Sequence, residues 1–233
     1  MYNTTLAVVL RTENYKDNDK MLTLFSMDYG KMDVLAKSCR KQGAKNSAFA
    51  EPFVCGNVQI YEKNGRCTLT QSEIKESYYE LRQNIDSFAS ASLLVSICDK
   101  CVMPDSPDRK LFALLVNCLH ALNGGADHID VAVFFCIRML NVLGQGLDLS
   151  TENAEKIDFN NGTTINSGDG IFLGKDFISI LKKMQLLSVK AISDTVFGLS
   201  NLFTKESELF ITHALDMAQI HVQKTLSFMF KKI

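Results

Sequence analysis

Four cations crowd into one short stretch of this chain: Lys37, Arg40, Lys41 and Lys45. Across residues 31–45 five basic residues stand against the single acid Asp33, a local excess of +4. A basic loop of this kind follows a phosphate backbone by displacing its counterions, without reading base sequence. The plainer reading is a solvated loop with a chance excess of lysine. Aromatic rings nearby would add base stacking, worth roughly 1–3 kcal/mol per base. Tyr15, in the first inter-strand loop, is the candidate for that role; Phe49, Phe53 and Tyr61 lie on or near the fourth strand, and Phe53, which alternates with polar positions, is as well read as core. Arg11 and Arg66 are candidates for secondary phosphate contacts, with ordinary strand-end charge as the alternative for each.

Cys98-Asp99-Lys100-Cys101 is the sharpest sign of reactivity. A CxxC pair serves as a redox couple or as half of a zinc site. No second CxxC exists and no βαβ pattern frames this one. Cys98 falls on an apolar helical stripe, where a thiol packs as a small hydrophobe, so packing is the expectation. The glycines of INSGDGIFLG are not followed by the GK[ST] of a phosphate loop. His213 and His221 sit two turns apart on what reads as one helix, too far for an i,i+4 metal pair, and His120 and His128 are scattered. No catalytic residue, metal ligand or cofactor is assigned, and the chain is expected not to be an enzyme.

Composition narrows the rest. The 233 residues suit one large domain or two small ones, and 46% hydrophobic content argues against disorder. A net charge of -1 excludes a polycation, so any grip on nucleic acid must come from a local patch. Seven cysteines, an odd number, and an opening without an apolar h-region favour free thiols in a reducing cytoplasm. No apolar run reaches the roughly 20 residues of a membrane-spanning helix.

The elements that must position the cations read as strands. Leu6, Val8 and Leu10 alternate with Ala7, Val9 and Arg11. DKMLTLFS (19–26) and KMDVLAK (31–37) follow, then FVCGNVQIYE (53–62) and RCTLTQSEI (66–74) on either side of Lys63-Asn64-Gly65. Asn-Gly between alternating runs marks a hairpin, because both residues tolerate positive φ. Five short strands without helical periods predict a small closed barrel. From Leu81 the apolar residues Ile85, Phe88, Ala91, Val95, Cys98 and Val102 recur at helical spacing until Pro104. Ser106-Pro107-Asp108 reads as the cap and first turn of a second helix. A third runs from about Ile129 to Leu143, ending at Gly144. Residues 147–172 read as a loop or irregular hairpin. Helices return near Lys175, the last carrying Ile211, Leu215, Ala218, Val222, Leu226 and Met229 on one stripe.

The opening half resembles the RecO family. Val9-Leu10-Arg11, Tyr15, Asp19, Leu22-Thr23-Leu24-Phe25, Gly30, Ala36-Lys37 and Arg40-Lys41 follow the order of that family's N-terminal signature. Glu51-Pro52-Phe53 and Leu69-Thr70-Gln71-Ser72-Glu73 resemble its later motifs. Phe135 to Leu140 before Leu143-Gly144, and His221 in IHVQKTLSF, resemble it more loosely. The resemblance implies an α+β protein: a five-stranded OB-fold nucleic-acid-binding domain over 1–79, then an all-helical domain over 80–233 with an insertion at about 147–172. It implies a recombination mediator of the RecFOR pathway. Such a protein binds single- and double-stranded DNA, anneals complementary strands, and with RecR helps RecA load onto strands coated by the single-stranded DNA-binding protein SSB. A cytoplasmic, nucleoid-associated location without membrane contact goes with that role. A protein adaptor that kept the barrel and lost DNA contact is the alternative.

Many family members carry two cysteine pairs for a structural zinc after the third helix. This chain has no cysteine after Cys136, so a thiolate site there is excluded by residue type, and the insertion must be held by packing and hydrogen bonds. An SSB tail, acidic with a terminal phenylalanine, wants an apolar groove beside a cation. Arg138, Lys182 and Lys183 are the candidates, with ordinary helix-surface charge as the alternative.

Overall fold

The computed structural model describes residues 1–230. Five strands come first: β1 (Tyr2–Tyr15), β2 (Asp19–Ser26), β3 (Gly30–Ala36), β4 (Cys55–Lys63) and β5 (Arg66–Glu76). They close in the order β1-β2-β3-β5-β4, with β4 pairing back onto β1. Every neighbouring pair is antiparallel except β3 and β5, which run parallel at Val34–Cys67 and Leu35–Thr68. This is an OB-fold-like barrel, as expected, and closure removes exposed edges. The period-2 pleat sends Ala7 and Val9, Leu22 and Leu24, Val34 and Ala36, and Val58 and Ile60 inward, where Phe49 and Ala50 from the β3–β4 connection join them. Asn64 (φ 51°) and Gly65 (φ 73°) make the tight turn between β4 and β5 that their types predict.

Three long helices follow: α1 (Ile85–Cys101), α2 (Arg109–Asn123) and α3 (His128–Val142). The starts of α1 and α2 differ from the sequence reading because side-chain caps decide them, while α3 begins within a residue of the expected Ile129. The Asn84 side chain accepts from the N–H groups of Asp86 and Ser87, so α1 begins there. Leu81 lies before it, buried in a 3-10 turn, and Ile85 and Phe88 of the expected stripe are exposed. Asp108, not Ser106, caps α2, accepting from Lys110 and Leu111. Asp127 caps α3 in the same way.

Contacts group the chain into two compact units, Met1–Tyr79 with Val95–Val116, and Glu80–Leu94 with the chain from Asn117 onward. In the first, Phe112 meets Phe25 of the barrel edge to face at 5.3 Å. Gly30, at φ +69°, lets β3 start against the segment after α1: a Cβ there would come within 2.7 Å of the carbonyl oxygens of Met103 and Ser106. In the second unit α3 is buried from Ile129 to Ile137. It packs against α4 (Lys175–Leu186), α5 (Leu199–Leu202) and α6 (Thr204–Met217). The insertion is a three-stranded antiparallel sheet, β7-β6-β8, built from β6 (Lys156–Asp158), β7 (Thr163–Ile165) and β8 (Ile171–Phe172). The stripe from Ile211 to Met229 spans two helices, not one. α6 stops at Met217, Gln219 turns left-handed at φ 57°, and α7 (Gln223–Phe230) begins afresh. His213 therefore stacks on Phe159 at 5.4 Å from α6, while His221 is exposed in the break.

Candidate nucleic-acid interface

The basic segment leaves β3 at Ala36 and is tied to the barrel almost at once. Ser38, at φ 54°, gives its N–H to the Asp19 carboxylate at 2.7 Å. The Arg40 N–H reaches the Asn18 carbonyl at 3.0 Å, and its guanidinium donates to the Asp17 carbonyl at 3.1 Å and the Lys16 carbonyl at 3.4 Å. Successive turns then run from Ser38 through Lys41 and Ala44 to Ser47, and the segment is anchored by buried Cys39 at one end and buried Phe49 at the other. Lys37, Arg40, Lys41 and Lys45 are all exposed. Among the described residues none of the four forms an ion pair with a carboxylate. A string of pinned turns that holds four unneutralised cations outward is suited to meeting phosphates at low ordering cost.

The other predicted residues divide. Arg11 is ion-paired with Glu13, and it also reaches the Thr23 hydroxyl at 3.4 Å, so much of its charge is spent within β1 and β2. Tyr15 is 40% exposed at the end of β1, with the Lys16 ammonium 5.4 Å over its ring. Phe49 and Phe53 are buried. Arg66 lies elsewhere, in a cleft of about 630 Å³ with Lys37, Lys63, Tyr2, Tyr61 and Thr68 on its walls. Lys37 thus belongs both to the basic connection and to this cleft. The sequence reading missed Lys63 and Tyr2. Lys63 was legible, because the Asn-Gly turn sets it opposite Arg66. Tyr2 was not, because its pairing with Tyr61 depends on how the barrel closes.

The CxxC pair lies in a packed setting. Cys98 is buried and Cys101 half-buried. Burial pushes the Cys101 thiol up to about 12 against the opposing pull of Lys31, which favours the protonated thiol near neutrality. Among the described residues no group of three or more His, Cys, Asp or Glu is placed to hold a metal ion. The residues where the family's zinc would sit do not fit it. Residues 147–172 contain no cysteine and so supply no thiolate, and hydrogen bonds hold the segment instead: Thr151 Oγ1 to the Thr164 carbonyl at 2.6 Å, and the Asp148 N–H to the Gly162 carbonyl at 2.7 Å. The candidate partner cations are partly occupied there. Lys182 donates to the Thr151 carbonyl at 3.0 Å, and Arg138 donates to the Gln185 carbonyl. Lys183 is exposed. No helix among the described residues is long and apolar enough to cross a membrane.

A closed five-stranded OB-like barrel followed by a helical region defines the class of fold, a mixed α+β architecture. The model of the N-terminal part of recombination protein O matches residues 1–78, and that of its C-terminal part matches 82–177. The chain belongs to the RecO family. It is 31% identical over 144 residues to a DNA repair protein RecO from an Exiguobacterium species, covering 62% of this chain and 58% of that one. It is 34% identical over 143 residues to the Bacillus pumilus protein of the same name, covering 61% and 56%. With the Shouchella clausii protein the figures are 33% over 138 residues, 59% and 54%. The aligned part of the chain thus spans less than two thirds of the length of these relatives.

Proposed function

We propose that this chain is a recombination mediator in DNA repair. It binds single- and double-stranded DNA through the barrel and anneals complementary strands. With RecR it helps RecA load onto SSB-coated single strands, and it works in the cytoplasm at the nucleoid. The reading gives it no reaction of its own and no cofactor. The observation that supports it most is the β3–β4 connection of an OB-like barrel, with Lys37, Arg40, Lys41 and Lys45 exposed and unneutralised. Family membership supports the repair context, and the names of the relatives agree with it. The helical unit is where an SSB tail would dock, and Lys183 is the more available of its candidate cations.

Titration of a labelled single-stranded oligonucleotide at low and raised salt tests this reading. Phosphate contacts predict an affinity that falls as salt rises. Strand annealing by the isolated protein would eliminate the adaptor alternative, whereas a chain that binds no DNA at low salt and anneals nothing would support it.

A further inference from the structure

We propose that the cleft beside the β4–β5 turn seats an unpaired nucleobase with its flanking phosphates, and so gives the barrel a preference for single strands that the basic connection alone does not supply. The inference rests on the DNA-binding reading and assigns a second, distinct contact within it. Tyr2 and Tyr61 are directly opposed on β1 and β4, with ring centroids 5.0 Å apart and planes inclined by 45°. Rings at that angle do not cover each other's faces, and Tyr2 is 63% exposed. Lys63 and Arg66 face each other across the turn, and Lys37 reaches the same cleft from the end of β3. Thr68, opposite Tyr61, supplies a hydroxyl to the same wall. No acidic residue is among the described residues that line it.

These are the groups that a single-stranded nucleic acid asks for: a π-surface for a base and cations for the phosphates on either side. The volume of about 630 Å³ falls in the roughly 300–1,000 Å³ range of small-ligand sites, the scale of a nucleotide and not of a double helix. The tight turn at Asn64 and Gly65 sets the backbone of Lys63 opposite that of Arg66 before binding, which lowers the ordering cost. In a duplex each base face is covered by its stacked neighbours, so only an unpaired base reaches the rings. Phosphates are offered by both forms. Ring substitutions should therefore strike single strands alone, and cation substitutions should strike both.

The test uses the full chain with a labelled oligothymidylate and a labelled duplex of the same length. Tyr2→Ala is the primary variant because the ring is exposed. Tyr61→Leu is the second, and circular dichroism of each checks that the barrel persists. Each should lower single-strand affinity by about 5- to 150-fold, the effect of losing one stacked base, and leave duplex affinity at the parent value. Lys63→Gln should weaken both ligands together. The proposal is overturned if both ring variants bind the oligothymidylate as the parent does, or if they lose single strand and duplex equally. A parent that binds neither ligand at low salt overturns the DNA-binding reading itself, and the cleft assignment with it.

Discussion

The Arg40 guanidinium donates to the Asp17 carbonyl oxygen at 3.1 Å and so clamps the β3–β4 connection onto the β1–β2 loop. A second bond, to the Lys16 carbonyl at 3.4 Å, widens the clamp. Arg40 is therefore both a charge offered to a ligand and a brace for the loop that carries the other charges. Its neighbour Lys41 has no such second duty among the described contacts, which makes the pair separable by experiment.

Arg40→Ala should loosen the turns from Lys41 to Ser47 as well as remove a charge. Amide hydrogen exchange in that stretch should quicken. Lys41→Ala should leave the exchange unchanged and lower the salt dependence of duplex binding by about one phosphate contact, a change in slope of roughly 0.9.

Gly30 fills a place that no side chain can. Gly30→Ala brings a Cβ to 2.7 Å from two backbone carbonyl oxygens and places alanine at φ +69°. A loss of about 2 kcal/mol or more is expected from the strain and the displaced backbone, read as a lowered urea midpoint. Gly43, also at positive φ but with open space around it, tolerates the same change better.

Asp130 is 1% exposed and accepts the N–H groups of Phe197, Gly198 and Leu199 at 2.7, 3.0 and 2.8 Å. Desolvation raises its pKa and outweighs the lowering effect of those three donors. Asp130→Ala strands three backbone donors and should cost about 3 kcal/mol or more. Asp130→Asn keeps one acceptor oxygen and should cost less. Chemical denaturation of the two variants checks the order.

Burial pushes the thiols of Cys55 and Cys101 from 9.0 up to about 12. The folded state therefore holds those protons more tightly than the unfolded state does. The stability they contribute is fully present below pH 9 and is lost as pH rises from there through about 12. Urea midpoints should hold below pH 9 and fall as the pH rises from there towards about 12. In the folded protein at neutral pH both thiols should resist iodoacetamide, and in urea both should react.

Much of the barrel is legible in the sequence. Alternation in β2 to β5 and the Asn64-Gly65 turn fix strand register locally, and the order of family motifs from Val9 to Lys41 places the basic connection. Helix starts were less legible. Asn84 and Asp108 cap their helices through side-chain bonds, which compete with the proline and serine cues that spacing brings forward. The break at Gln219 escaped notice because the apolar stripe keeps its phase from Leu215 to Val222 although the backbone does not. In the candidate interface the charges were visible but their partners were not. That Thr151 takes up Lys182 and that Tyr2 meets Tyr61 are long-range or cross-strand facts which composition does not encode, whereas Glu13, which takes up Arg11, stands only two residues along the same strand.

The central claim is that exposed cations on the β3–β4 connection hold nucleic acid by its phosphates. The most direct measurement is the anisotropy of a labelled single-stranded oligonucleotide, titrated at low salt with the parent chain and with the double variant Arg40→Glu, Lys41→Glu. The account predicts salt-sensitive binding by the parent and, for the variant, an affinity at least about tenfold lower whatever the oligonucleotide sequence. Equal affinity for parent and variant would contradict it.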